Sequence, residues 1–184
     1  MKFKIIFLFI IFFGLGFYYL VHNGFYPVAI VNSHWISART FKREYQTALI
    51  YYQNAIKTYT GQDLAIQQRP DFVKELRRAA LDKLIENTLI YSELEIRIGK
   101  ELSEIVEKKI PSFQESAISL YGLESAEFKD LVLAPQAQRE ILEGQLASEK
   151  KNFDEWLAKA RQTAKVRLLA TGVVWDGVQV VMRD

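Results

Sequence analysis

The chain of 184 residues contains no cysteine, which excludes disulfide frameworks, thiolate metal sites and cysteine nucleophiles. Its two histidines, His22 and His34, cannot by themselves build a histidine-rich metal site. Excess charge is equally scarce. The formal net charge of +2 arises from Lys2 and Lys4, because the remaining 22 basic residues balance 22 acidic ones. A neutral body lacks the concentrated basic surface that nucleic acid requires, so no nucleic-acid partner is expected. No G-x-S-x-G, Walker loop, H-E-x-x-H or dinucleotide fingerprint occurs. Neither a nucleotide nor a metal or other cofactor is expected.

What is present begins with a long apolar run. Ile5 to Val21 reads IIFLFIIFFGLGFYYLV, without one charge and preceded by Lys2 and Lys4. That length is the lower limit for a membrane-spanning helix, and Phe3 extends it. Phe17, Tyr18 and Tyr19, then Phe25 and Tyr26, supply the aromatics expected at the outer interface. A cleaved secretory signal is the rival reading, but it wants a shorter apolar core and a small-x-small exit, which Tyr18 to Asn23 does not offer. The sequence therefore predicts a cytoplasmic tip and transmembrane anchor over 1–24, with Ile5, Phe9, Phe13 and Leu20 in the bilayer. No Lys or Arg follows until Arg39, so the positive-inside rule puts residues 25–184 across the cell (inner) membrane as one extracytoplasmic domain.

That domain, 49% apolar and 25% charged along with the rest of the chain, has globular composition. Val28 to Val31 reads as a strand, Asn32-Ser33 as a turn and His34 to Ile36 as a return strand. Ser37 caps a helix from Ala38 to about Tyr59. Its apolar stripe comprises Phe41, Tyr45, Ala48, Leu49, Tyr52, Ile56 and Tyr59. Thr60 to Arg69 reads as a polar connector. Pro70 opens a helix that stops at Gly99 and is apolar around most of its circumference, which marks it as the central element. A third helix, capped by Ser103 and kinked at Pro111, ends at Gly122. Ser125 starts a fourth, Pro135 breaks it, and Gln136 to Lys150 makes a fifth. Asn152 with Glu155 forms a capping box for a sixth. The chain closes with a candidate strand over Lys165 to Leu169 and a hairpin over 173–182. A two-residue Asp176-Gly177 turn would set Trp175 opposite Val178. The fold class is mainly α, with a small sheet and hairpin joining both ends of the domain.

Little points to catalysis. Glu93 and Glu95 diverge on their helix, Glu140, Glu143 and Arg139 read as a solvated surface, and His34 beside Trp35 reads as a surface or packed histidine rather than a catalytic one. The aromatic content, 12 Phe, 9 Tyr and 3 Trp, is more informative, because positions such as Tyr51 have no obvious core role.

The order of motifs resembles a family. Val28-Ala29-Ile30-Val31-Asn32, a turn and Trp35-Ile36-Ser37 precede Phe41 and Tyr45 in a long helix. Leu81-Asp82-Lys83-Leu84-Ile85-Glu86-Asn87 follows, then Glu93, Ile98 and Gly99, and Tyr121-Gly122-Leu123-Glu124 introduces Phe128. From about Val28 to Lys165 this resembles the N-terminal chaperone domain of the SurA, PpiD and PrsA type of extracytoplasmic folding factors. Ser33 stands where that family usually has glycine. Its parvulin-type prolyl isomerase domain finds no counterpart after Trp156, so the resemblance implies no isomerase activity. It implies a helical module that holds extended, aromatic-rich segments of unfolded or exported polypeptides without ATP. An adaptor that holds one defined partner at the membrane is the alternative. Ile50, opposite the core stripe, Tyr51 at its edge, and Phe113 and Tyr121 after the Pro111 kink are the candidate client-binding residues.

Overall fold

The structure, a computed structural model, describes residues 13–61, 66–110 and 115–183. Residues 13–22 are helical (α1). Phe13 and Leu20 lie in α1, whereas Ile5 and Phe9 fall outside the described residues. Among the described residues no helix is long and apolar enough to cross a membrane.

Strands β1 (Pro27–Val31) and β2 (His34–Ser37) form the expected hairpin. Asn32 turns it in the left-handed region, at φ 55°. The same residue fastens the two ends of the domain together. Its backbone N–H donates to the Lys165 carbonyl at 2.9 Å, and its side-chain oxygen accepts from the Lys165 N–H at 3.0 Å. Strand β3 (Val166–Leu168) thereby pairs antiparallel with β1, giving the order β2-β1-β3.

Helix α2 (Ala38–Thr60) starts at Ser37, whose hydroxyl accepts from the Thr40 N–H at 3.0 Å. Its apolar stripe is only partly covered. Tyr45, Ala48, Leu49 and Ile56 pack with Leu76 and Ile66, but Tyr52 is exposed and Tyr59 is 88% exposed, because the helix outruns its neighbour. The polar connector hides one core residue. A single turn over Ile66–Gln68 buries Ile66.

Helix α3 (Pro70–Ile98) is the central element its composition predicts. Leu76 packs with α2; Leu81, Leu84, Ile85 and Leu89 pack with the sheet; Ile90 and Leu94 pack with Leu102, Val106, Leu142 and Leu146. Ile96 departs from the expected all-round burial and points to solvent at 82% exposure.

Ser103 does not cap α4 (Leu102–Lys109). A tight turn over Gly99–Glu101 leads straight into it, and Glu101 is already helical, so no extended residue exists from which a side chain could cap. Pro111 and Phe113 lie outside the described residues, and α5 (Glu115–Tyr121) resumes beyond them. Pro135 does not end its helix either. Helix α6 (Ser125–Phe128) continues through a π turn at Lys129–Leu133 into α7 (Ala134–Ser148). The Ala134 N–H donates to the Lys129 carbonyl, five residues back. This wider turn accommodates a ring that clashes with a regular α turn and cannot donate to it.

Helix α8 (Phe153–Thr163) begins at Asn152, whose side chain accepts from the Glu155 N–H. The terminal hairpin pairs β4 (Val173–Trp175) with β5 (Val180–Met182). Its register differs from the expected one: Trp175 faces Val180, and Val173 faces Met182. The Asp176 carboxylate accepts from the N–H groups of both Val178 and Gln179 at 2.8 Å, which builds a four-residue loop. Because the shift is two residues, the inward face is preserved, and Val173 and Val180 remain buried. Asp82 accepts the Val180 N–H at 2.9 Å and Arg78 donates to the Val180 carbonyl at 2.8 Å, so α3 holds the hairpin directly.

Two substitutions separate core from surface on α3. Leu94→Ala should cost about 2–5 kcal/mol, whereas Ile96→Ala should change stability by less than about 0.5 kcal/mol. Chemical denaturation of the two variants checks the difference.

Candidate polypeptide-binding cleft

The face of α2 and α3 that the sheet and hairpin leave uncovered meets the arm formed by α5, α6 and α7. Two side-chain clamps set the separation. Asn54 on α2 donates to the carbonyls of Ser119 and Leu120 at 3.3 and 3.0 Å. Arg43, three turns earlier, bonds Glu127 at 3.0 Å.

Between α2, α3 and the arm lies a cavity of about 260 Å³ bordered by Ala48, Tyr51, Tyr52, Leu76, Tyr121 and Val132. A second cavity, about 290 Å³, opens among Trp35, Leu84, Tyr91, Leu131 and Pro135. Glu44 lines both, and successive stretches of α3 line each in turn, so the two lie side by side as a cleft with a charged residue at its waist. Glu44 is buried, and its carboxylate receives Lys83 Nζ at 2.6 Å. The carboxylate therefore has a partner where water cannot reach it freely.

Aromatic rings run along one end of this cleft. Phe72 meets Tyr52 edge-on at 5.7 Å, Tyr52 meets Tyr51 at 5.8 Å, Tyr51 stacks on Tyr121 at 4.7 Å, and Tyr121 touches Phe128 at 5.3 Å. Burial raises the Tyr121 phenol above its ordinary value, with Tyr51 and Glu44 adding to the effect, so it remains neutral at physiological pH. At the other end Trp35 is 71% exposed, and Tyr91 is exposed beside the His34 ring at 6.2 Å. His34 itself is tied to Ser92 at 3.2 Å and Glu95 at 3.4 Å.

The sequence-predicted residues divide among these places. Tyr51 and Tyr121 come together as the stacked pair. Ile50 is half-buried behind them: a Cβ on Gly122 would sit 2.8 Å from its Cγ2, so glycine is needed there both for space and for φ 61°. Phe113 lies outside the described residues. Sequence reasoning did not single out Trp35, Tyr52, Phe72, Tyr91 or Glu44 as site residues. Tyr52 and Phe72 look like core members until the pairing of α2 with α3 is known. Glu44 did carry a signal, since an acid three residues after Phe41 and four before Ala48 falls on the apolar stripe. Among the described residues no group of His, Asp or Glu is arranged to hold a metal ion.

The waist pair makes an asymmetric prediction. Lys83→Ala leaves a buried carboxylate without its cation and should cost about 1–3 kcal/mol. Glu44→Gln, which removes the charge itself, should cost less. Denaturation midpoints of the two variants and of their combination test this order.

An opening β-hairpin, two long helices and a short third helix follow one another over residues 27–109. The family model for the SurA-like N-terminal domain matches residues 1–117. No curated protein and no solved structure matches the chain. The match runs through the β-hairpin, α2, α3 and α4, which include most residues on which the resemblance rested. The chain belongs to the SurA-like N-terminal domain family.

Proposed function

We propose that this protein is a membrane-anchored, ATP-independent chaperone-like protein whose cleft holds extended segments of unfolded or exported polypeptides. The observation that carries this reading is the continuous series of rings from Phe72 to Phe128, of which Tyr51, Tyr52 and Tyr121 border a cleft that Leu76, Ala79 and Ala80 line from α3. Tyr52 and Phe72 are exposed, Tyr51 and Tyr121 half-buried, and Phe128 anchors the series in the core, so the accessible end of the series offers an apolar surface for interaction. Such rings contact side chains of many shapes at low conformational cost, because each ring has only two torsions to fix. The cleft offers its apolar surface in two cavities, on either side of Glu44. An extended chain, whose side chains alternate in direction, can place every second side chain toward the cleft and so fill both cavities. Family membership supports the same reading, since a SurA-like domain implies polypeptide binding in general.

The uncharged run from Ile5 to Val21 behind Lys2 and Lys4 supports anchoring, with residues 25–184 extracytoplasmic. No catalytic step is assigned. The residues at the cleft waist form a neutralised ion pair rather than an acid and base placed for proton transfer. Binding one defined partner as an adaptor would use the same surface and differs in selectivity.

Trp35→Ser combined with Tyr52→Ser tests the cleft. Both rings are substantially exposed, so stability should change by no more than about 1 kcal/mol, while suppression of aggregation of an unfolded exported protein should weaken severalfold. Undiminished protection by a folded double variant would refute the cleft as the client surface. Protection confined to a single partner would favour the adaptor. Alkaline carbonate extraction checks the anchor independently, and the full chain should stay with the membrane.

A further inference from the structure

A larger cavity, about 850 Å³, lies where α1 hands over to β1, and it shares no lining residue with the cleft. The end of α1 contributes Val21, His22 and Asn23. Arg39 and Lys42 enter from the first turns of α2, and Arg77 from α3. None of its lining residues is acidic.

Arg43, Arg78, Arg97, Arg139 and Arg161 each hold a carboxylate. Arg39, Lys42 and Arg77 hold none among the described residues. Aromatic faces position two of them instead: the Arg39 guanidinium lies 5.4 Å from the Phe25 ring centre, and that of Arg77 lies 5.2 Å from Tyr45. Such contacts orient a guanidinium without neutralising it. The first N–H groups of α2 are already engaged, by the Tyr26 and Gly24 carbonyls and the Ser37 hydroxyl. The anion-attracting element is therefore the side-chain cluster. Beside it the rings of Phe17, Tyr18, Tyr19 and Tyr26 are exposed, a set that favours the headgroup level of a bilayer.

We propose that this cavity binds the phosphate of an anionic phospholipid headgroup and thereby fixes the domain against the membrane surface. The inference rests on the anchoring reading, which places residues 21–26 at the outer interface. Guanidinium groups pair bidentately with phosphate oxygens, and an ammonium adds a point charge. The rings on α1 point to lipid rather than free phosphate, because they provide a surface for the acyl region next to the charge.

The test uses the purified full chain in a neutral detergent, titrated separately with phosphatidylglycerol, phosphatidylcholine and inorganic phosphate, with bound ligand counted by native mass spectrometry. Phosphatidylglycerol should be retained in preference to phosphatidylcholine. Loss of each cation should weaken binding on the order of fivefold. Arg39→Gln/Lys42→Gln/Arg77→Gln should thus lose roughly a hundredfold by the same measure. Lys42→Gln alone, which disturbs no ring contact, keeps the test decisive if the triple variant does not fold. Equal retention of both lipids, or equal retention of phosphatidylglycerol by wild type and Lys42→Gln, would overturn the proposal. Displacement of the lipid by inorganic phosphate at equal concentration would overturn the lipid assignment. Carbonate extraction of the same variants reads the anchor separately. A chain that washes off membranes yet selects phosphatidylglycerol in detergent would refute the anchor and retain the site.

Discussion

Burial of α3 on nearly every side is the constraint from which the rest of the structure follows. Leu81, Ile85, Ile90 and Leu94 are almost completely removed from water, yet they point in different directions around one helix. A single layer of partners cannot cover such a circumference. The sheet and terminal hairpin cover one side, α4 and α7 another, and α2 a third. The chain must therefore return from its last helix to its first strand, and Asn32 and Lys165 make that junction. Polar side chains of α3 and α8 reinforce it. Asp82 and Glu86 hold Arg161 on α8, and Asp82 also accepts from the hairpin backbone.

The cleft is what this packing leaves over. Because α3 has given its apolar surface to the sheet and to α7, the arm of α5 and α6 has little of α3 left to bury. It rests on α2 through the Asn54 amide, the Arg43–Glu127 pair and the stack of Tyr51 on Tyr121. Polar clamps and a ring stack hold two elements together without filling the space between them. Tyr52 and Phe72, at the edge, stay accessible.

Features set by a few adjacent residues were legible in the sequence: the β1–β2 hairpin, the Ser37 and Asn152 caps, and the limits of α3 at Pro70 and Gly99. Features set by competition between neighbours were not. Asp176-Gly177 suggests a two-residue turn, but the carboxylate captured two amides and lengthened the loop. Pro135 suggests a break, but the π turn absorbed it. Ile66 sits among glutamines and gives no periodic signal, although it fills the space between α2 and α3. For the cleft, helical spacing set Tyr51 apart from the core stripe. Tyr52 and Phe72 have core spacing, and only the relative lengths of α2 and α3 expose them. Arg39 and Arg77 are far apart in the sequence, so the cavity they share could not be read from charge pattern at all.

Site-specific photo-crosslinking tests the central claim most directly. A photoreactive residue placed at position 35, 52 or 96 reports whether an unfolded polypeptide sits in the cleft or elsewhere, since Trp35 and Tyr52 border the cleft and Ile96 is exposed away from it. Crosslinks to unfolded clients are expected from positions 35 and 52 and none above background from 96. Equal crosslinking from 96, or none from 35 and 52, would contradict client binding in the cleft.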